Sequence, residues 1–385
     1  FLNTQAKDLK SYDTSKIWSV VDGPWKLKSF STDGRVTFVQ NKSYSGSPKP
    51  RLTEVKLLPF TSDSAEFNVL KSGNTTDVGY VPSQDLPEKS GKEVLPKTNP
   101  AGANYRMQAV YPWSFNYFPY NYTNPELGPV FKQLYFRQAF QMLVDQTVDV
   151  QKSLRGYGYP TIGPVPPKPD NKWSSPLSKG SGPNAFNPAK AKKLLTSHGW
   201  VTKGGTLVCM RPGAGTTQCG EGVKAGTKLD INLDYYNGAL TTKQQMEQLK
   251  SDASKVGVTL DIHGKPFNSV IGEAVPTNPK WQLANWGGGW IYAPDYFPSG
   301  EVLFATGAGS NSGAYSDPKM DTLIQKTQTS NDINDFYAYE DYAINQLPVV
   351  YDANEYAVSA ISKHIGGVTL NPLQTWLPEF WYRTK

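Results

Sequence analysis

The residues best equipped for chemistry lie in LANWGGGWIYAPDYFPSG, residues 283–300. Trp286 and Trp290 flank Gly287, Gly288 and Gly289, and Asp295 stands between Pro294 and Tyr296. Three readings fit such a run: a catalytic loop, the wall of a ligand pocket, or a glycine-rich turn whose aromatics belong to a core. Glycines admit close approach of a ligand to backbone, or mark a bulged strand end. Indoles serve pockets and cores alike, because they are apolar and hydrogen-bonding at once. For Asp295 the local reading is a loop carboxylate that caps a turn beside Pro294.

Signatures of catalysis are absent from the sequence. It contains no G-x-S-x-G, no Walker-type G-x-x-x-x-G-K-[ST], no H-E-x-x-H, and no G-x-G-x-x-G between a strand and a helix. The 3 histidines, His198, His263 and His364, are far apart, and His198 falls where a helix C-terminus would use it as a cap. Nothing marks the carboxylate pair of a glycoside hydrolase, although such pairs meet only in the fold. No catalytic residue, metal or cofactor is assigned. The Asn-x-Ser/Thr patterns at Asn41, Asn74 and Asn121 are read as chance matches.

The 2 cysteines, Cys209 and Cys219, bracket the loop CMRPGAGTTQCG. Its Pro, Gly and Thr content suits closure by a disulfide, and free or reactive thiols are the alternative; no further metal ligand lies near. A disulfide implies an oxidising, extracytoplasmic compartment.

At 385 residues the chain exceeds one ordinary core, so two lobes with a cleft are expected. Its 22 Tyr, 16 Phe and 10 Trp suit pockets and interfaces as well as cores. A net charge of +6, scattered among acids, argues against nucleic acid as a partner. No apolar run reaches the ~18 residues of a membrane span. The opening FLNTQAKDLKSY reads as the middle of an amphipathic helix without a cap, so the chain is expected to begin inside a larger protein.

The elements that must position these residues read as mixed α/β. WKLKSF and RVTFVQN form a hairpin about STDG, TEVKLLPF adds a strand, and SDSAEFNVLKSG is a helix capped by Ser62 or Asp63 and stopped by Gly73. DVGYVP is a short apolar segment, and YRMQAVYPWSFNYFPYN supplies one or two core strands. Val130 to Leu154 reads as one long helix ending at Gly156, and NPAKAKKLLTSHGW as a helix from Asn187 to Gly199. LDINLDYY, TTKQQMEQLKSDASKVG and VTLDIHG make a strand, helix, strand crossover with a parallel pair. A helix at NDINDFYAYEDYAINQ and strand-like runs close the chain.

DGPWKLKSF, FRQAFQMLVDQ, GYGYPTIGPVPP, NPAKAKKLL and NWGGGW followed by DYFP, taken in order, resemble one family. It is the extracellular solute-binding proteins of ABC importers, oligopeptide/dipeptide/nickel type, whose stretches read roughly GTGPYKL, RQALxYAID, GxGxPAxGPxPP, DPEKAKxLL and GW with DYPDP. The resemblance runs from about Val20 to the C-terminus and implies a two-lobed α/β periplasmic-binding-protein-like fold, type II, of the peptide-binding cluster. It also implies that the N-terminal part of the first lobe and an extra domain are missing from this chain. Residues 1–110 would be part of lobe I, 111–350 lobe II with the 209–219 disulfide loop, and 351–385 a return to lobe I. Crossings between lobes are expected near Tyr105 to Tyr117 and Leu347 to Tyr356.

The same resemblance implies a non-enzymatic receptor, periplasmic or lipid-anchored, that delivers a peptide or similar solute to a membrane permease. A receptor for oligosaccharide or a nickel chelate is the alternative, and a glycan hydrolase a remote one. By analogy Asp295, followed by Tyr296, is the partner of a ligand ammonium; an alignment without a gap instead puts Ala293 at that position. Trp286, Gly288 and Trp290 line the cleft, with Tyr80, Asn116, Tyr117 and Asn121 as further contacts. Arg137, within RQAF, is expected to form a structural ion pair.

Overall fold

The computed structural model describes every residue except Asn74, Pro294, Asp295 and Lys385, and leaves aside the side chain of Asn3. Asp295, and with it the ammonium-partner reading, therefore lies outside the described residues. The chain divides into two compact units, one of Phe1–Asp85, Lys92–Val110 and Ala357–Lys385, the other of Leu86–Gly91 and Tyr111–Tyr356.

In the first unit the expected opening helix shrinks to a single turn, Leu2–Gln5, and a 3-10 turn, Leu9–Ser11. Its Phe1, Leu2 and Leu9 stay exposed and no side chain caps it, so nothing offsets the entropy of a longer helix. Strands β1 (Trp25–Phe30) and β2 (Val36–Gln40) form the hairpin, turned by Gly34 at φ +96°, and β3 (Glu54–Leu57) pairs antiparallel with β2. Ser62 Oγ accepts the Ala65 N–H at 3.2 Å to start the helix Asp63–Ser72, and Gly73 at φ +78° ends it. Phe67 and Leu70 are its buried side chains. Strands β4 (Val78–Tyr80) and β5 (Tyr105–Val110) follow.

The second unit opens with β6 (Ser114–Pro119), whose Phe115, Tyr117 and Phe118 are all buried. The long helix expected from Val130 to Leu154 is broken into Gly128–Phe131, Leu134–Gln141, Gln146–Val148 and a π-helical turn Asp149–Ser153. The breaks have local causes. Gln133 is extended at ψ 120°, and the buried Arg137 guanidinium donates to the Phe131 and Lys132 carbonyls, both at 2.8 Å. Asp145 then caps a new turn by accepting the Val148 N–H at 3.1 Å. Arg137 also donates through Nε to the Gln346 carbonyl at 2.8 Å, at the C-terminus of the helix Ile333–Gln346. So Arg137 caps helix ends and lies over the Tyr122 ring at 5.8 Å; among the described residues it makes no ion pair, unlike the expectation.

Strand β7 (Gly158–Tyr159) precedes the helix Pro188–Ser197, which Asn187 caps at the Lys190 N–H, 2.9 Å away. The hairpin β8 (Trp200–Lys203) and β9 (Thr206–Cys209) leads into the loop closed by the Cys209–Cys219 disulfide. Both cysteines are fully buried, their Cα atoms 6.0 Å apart, which settles the disulfide over free thiols. Strand β10 (Asp230–Tyr236), the helix Leu240–Val256 and β11 (Thr259–Lys265) form the parallel crossover, and β12 (Leu283–Asn285) joins the other edge of β10, also parallel.

Strand β13 (Trp290–Ile291) and β14 (Val349–Asp352) flank β6, both antiparallel, and β15 (Asn354–Glu355) pairs with β7. The chain re-enters the first unit as β16 (Ala357–Ser362), which takes the centre of a sheet between β4 and β5. Strands β17 (Ile365–Gly366) and β18 (Tyr382–Arg383) pair near the end.

Candidate solute-binding residues

Alternation along β6 turns Phe115 and Tyr117 onto one face, where their rings stack at 4.8 Å. Trp286 meets Tyr117 edge-on at 5.4 Å, and Tyr292, Phe304 and Tyr351 surround Phe115. The hollow beside Tyr117 and Tyr122 measures about 10 Å³, room for no more than one water. Tyr117 is thus a packed core ring, and burial pushes its phenol pKa well above the ordinary value.

The glycine run owes its composition to the same strand. A Cβ on Gly289, at φ +58°, would stand 2.1 Å from the Phe115 carbonyl oxygen and 2.6 Å from the Asn116 Cα. Gly287 sits at φ +81°, its N–H donating to Asn285 Oδ1 at 2.8 Å, and Trp286 Nε1 donates to the Gly289 carbonyl at 3.2 Å. The close approach that glycine permits here is therefore to the chain's own backbone. Gly288 differs: a Cβ there would meet nothing within 4 Å.

Beyond the run, Trp290 is half-buried and pairs with Phe115 across β13 and β6. Tyr296 is 45% exposed at φ +63°, an uncommon backbone for a residue with a side chain, and its carbonyl accepts Trp113 Nε1 at 2.9 Å. Asn116 donates to the Ala353 carbonyl at 3.1 Å, while its Oδ1 is buried without a partner among the described residues. Asn121 is fully buried: its Nδ2 donates to the Asn278 and Trp281 carbonyls, and its Oδ1 accepts from the Thr123 N–H and hydroxyl. That leaves Asn121 no free hydrogen-bonding group, and makes it a bridge between loops. Asn41 is likewise buried, with its Nδ2 on the Val21 and Gly23 carbonyls.

Tyr80 belongs to the first unit. It lies on β4 opposite Ser359 and lines a cavity of about 260 Å³ with Glu66, Gln374 and Trp376. Sequence reasoning passed over Glu66 and Trp376, because only the pairing of β16 with β4 brings residues from both ends of the unit to one place. The histidines do not converge. His198 Nδ1 lies 2.8 Å from the Leu194 carbonyl with its ring stacked on Tyr135 at 3.8 Å, and His263 lies 3.3 Å from Asp261.

The fold is mixed α/β, and residues 4–310 match the bacterial extracellular solute-binding proteins, family 5 middle region. The chain belongs to that family. Among curated proteins it is 26% identical to Protein XP55 of Streptomyces lividans over 314 residues, which cover 80% of this chain and 50% of that protein. It is 22% identical to a dipeptide-binding protein of Pseudomonas aeruginosa over 359 residues, 91% of this chain and 59% of that one. The chain thus spans between half and three fifths of the length of these relatives. Among solved structures, the oligopeptide-binding protein AppA from Bacillus subtilis, in complex with a nonapeptide, superposes with a TM-score of 0.80 at 18% identity, over 98% of this chain and 69% of that one.

Proposed function

We propose that this chain is the solute-capturing part of an ABC-importer receptor that binds peptides outside the cytoplasm and hands them to a membrane permease. The observation that carries the reading is the family match over residues 4–310. The dipeptide- and oligopeptide-binding relatives favour peptides among the family's solutes. The Cys209–Cys219 disulfide supports a periplasmic or surface-anchored location, since such bonds persist in oxidising compartments. Among the described residues no helix is long and apolar enough to cross a membrane.

A peptide brings a charged amine, a charged carboxylate and a repeating backbone. Trp290, Gly288, Tyr296 and the Asn116 Oδ1 are the groups of the second unit that we assign to its recognition. Trp286 and Tyr117, in edge-on contact, belong to the packed core of the same unit. The test is thermal unfolding of the intact protein against di- to nonapeptides, oligosaccharides and a nickel–histidine chelate. Stabilisation by peptides supports the reading, because a ligand of the folded state alone raises its stability. Stabilisation only by sugar or chelate would replace peptide with that solute, and turnover of a glycan would replace the receptor with a hydrolase.

A further inference from the structure

The first unit holds a partly buried carboxylate that forms no ion pair among the described residues. Glu66, on the helix Asp63–Ser72, is half-buried, and its Oε1 accepts the Tyr80 N–H at 2.7 Å. Oε1 is also pressed against β4, where a Cβ on Gly79 would lie 3.0 Å from it. Among the described residues Oε2 accepts no hydrogen bond and the side chain forms no ion pair, although Arg51, Lys56 and Arg383 border a second cavity that Glu66 also lines. Burial raises its pKa, with only the Tyr80 N–H acting the other way.

Glu66 lines the cavity of about 260 Å³ together with Tyr80, Ser359, Gln374 and Trp376. One water needs ~15 Å³, so the space admits a ligand side chain. The Trp376 indole forms one wall, braced edge-on by Trp381 at 6.1 Å. The nearly fully buried Ser359 brings a hydroxyl to another.

From this arrangement we propose that the cavity beside Tyr80 is a subsite for a cationic group of the bound solute, an ammonium or guanidinium, with Glu66 as its counter-charge and Trp376 as its aromatic wall. The proposal rests on the receptor reading above. A half-desolvated carboxylate without a cation is in an unfavourable state that an entering cation relieves, and bonds between such charged groups are the strong kind. Indole is the best of the aromatic faces for a cation. The Ser359 hydroxyl and Gln374 carbonyl would take the remaining N–H groups, which a neutral apolar group would leave unused.

The test is isothermal titration calorimetry on the intact protein with two tripeptides, Ala-Lys-Ala and Ala-norleucine-Ala, which differ in the terminal ammonium. The wild type is expected to bind the lysine peptide about tenfold or more tightly. Glu66→Gln, which keeps an acceptor for the Tyr80 N–H, is expected to erase that preference and leave the norleucine peptide within about twofold. Trp376→Leu keeps an apolar wall and is expected to lower the preference several-fold, which decides the matter even where Glu66→Gln folds poorly. Equal binding of both peptides by the wild type, or a preference that survives both substitutions, overturns the subsite and leaves the receptor reading standing. Failure of both peptides to bind the wild type overturns the subsite, and the peptide reading falls with it when no di- to nonapeptide stabilises the protein.

Discussion

Among the described residues, Asp149 and Asp352 are carboxyls that the fold buries without a cation. Asp149 Oδ1 and Asp352 Oδ2 are both buried without a partner, while Asp352 Oδ1 accepts the Ala353 N–H at 2.7 Å. Burial, then Asp352, then Asp145 and Asp252 raise the pKa of Asp149; burial also raises that of Asp352. A carboxyl whose folded pKa lies above its unfolded value keeps a proton that the unfolded chain releases. Its ionisation therefore opposes folding, and stability is lost as pH rises from about 4 through the raised value. Asp149→Asn, neutral and of the same shape, is expected to stabilise the protein by about 1–3 kcal/mol at pH 8 and by much less at pH 4.5. Urea unfolding at the two pH values checks this, and an unchanged pH slope would refute it. Glu340 acts in the same sense. It is fully buried, Oε1 has no partner, and burial outweighs its bonds from Ser175 to push its pKa up to about 7.

At the scale of elements, the loop between β12 and β13 separates two glycines that look alike in sequence. Gly289→Ala drives a Cβ into the Phe115 carbonyl at a positive φ, so a loss of about 2–3 kcal/mol in stability is expected. Gly288→Ala meets open space and should stay within about 0.5 kcal/mol of the parent, which makes any fall in its peptide affinity a report on the site. Chemical denaturation of the pair distinguishes them. The disulfide closes a loop of sequence separation 10, and replacing Cys209 and Cys219 by serine is expected to lower stability by about 2–4 kcal/mol, read as a drop in the denaturation midpoint. The loop and the helix Asp63–Ser72 were legible in sequence because their signals are local: two cysteines about a Pro/Gly turn, and Ser62 and Gly73 at the helix ends. Val130 to Leu154 misled for the opposite reason. Its helical spacing of Phe131, Leu134 and Phe140 persists, but Arg137 and Asp145 take up backbone groups that a single helix would have used.

For the whole molecule, a peptide present at a hundred times its Kd is expected to add about 2.7 kcal/mol of stability, seen as a concentration-dependent rise in Tm. No rise with any di- to nonapeptide would remove peptides as the solute. By itself the sequence determined the α/β class, the β1–β2 hairpin and the parallel crossover of β10 and β11, which depend on patterns a few residues long, and the family likeness, which depends on the order of several such patterns; whether Cys209 and Cys219 are joined was left to the structure. Tertiary structure alone decided that Gly289 packs on β6 while Gly288 stays open, that Asn121 and Tyr117 are inward groups, and that Glu66, Tyr80 and Trp376 share one cavity. Residues 286–290 are accordingly in part a packed turn and in part a candidate wall. Those outcomes turn on which distant backbone and side chains meet, and burial, clash and missing counter-charge are properties of that meeting rather than of any residue in the row.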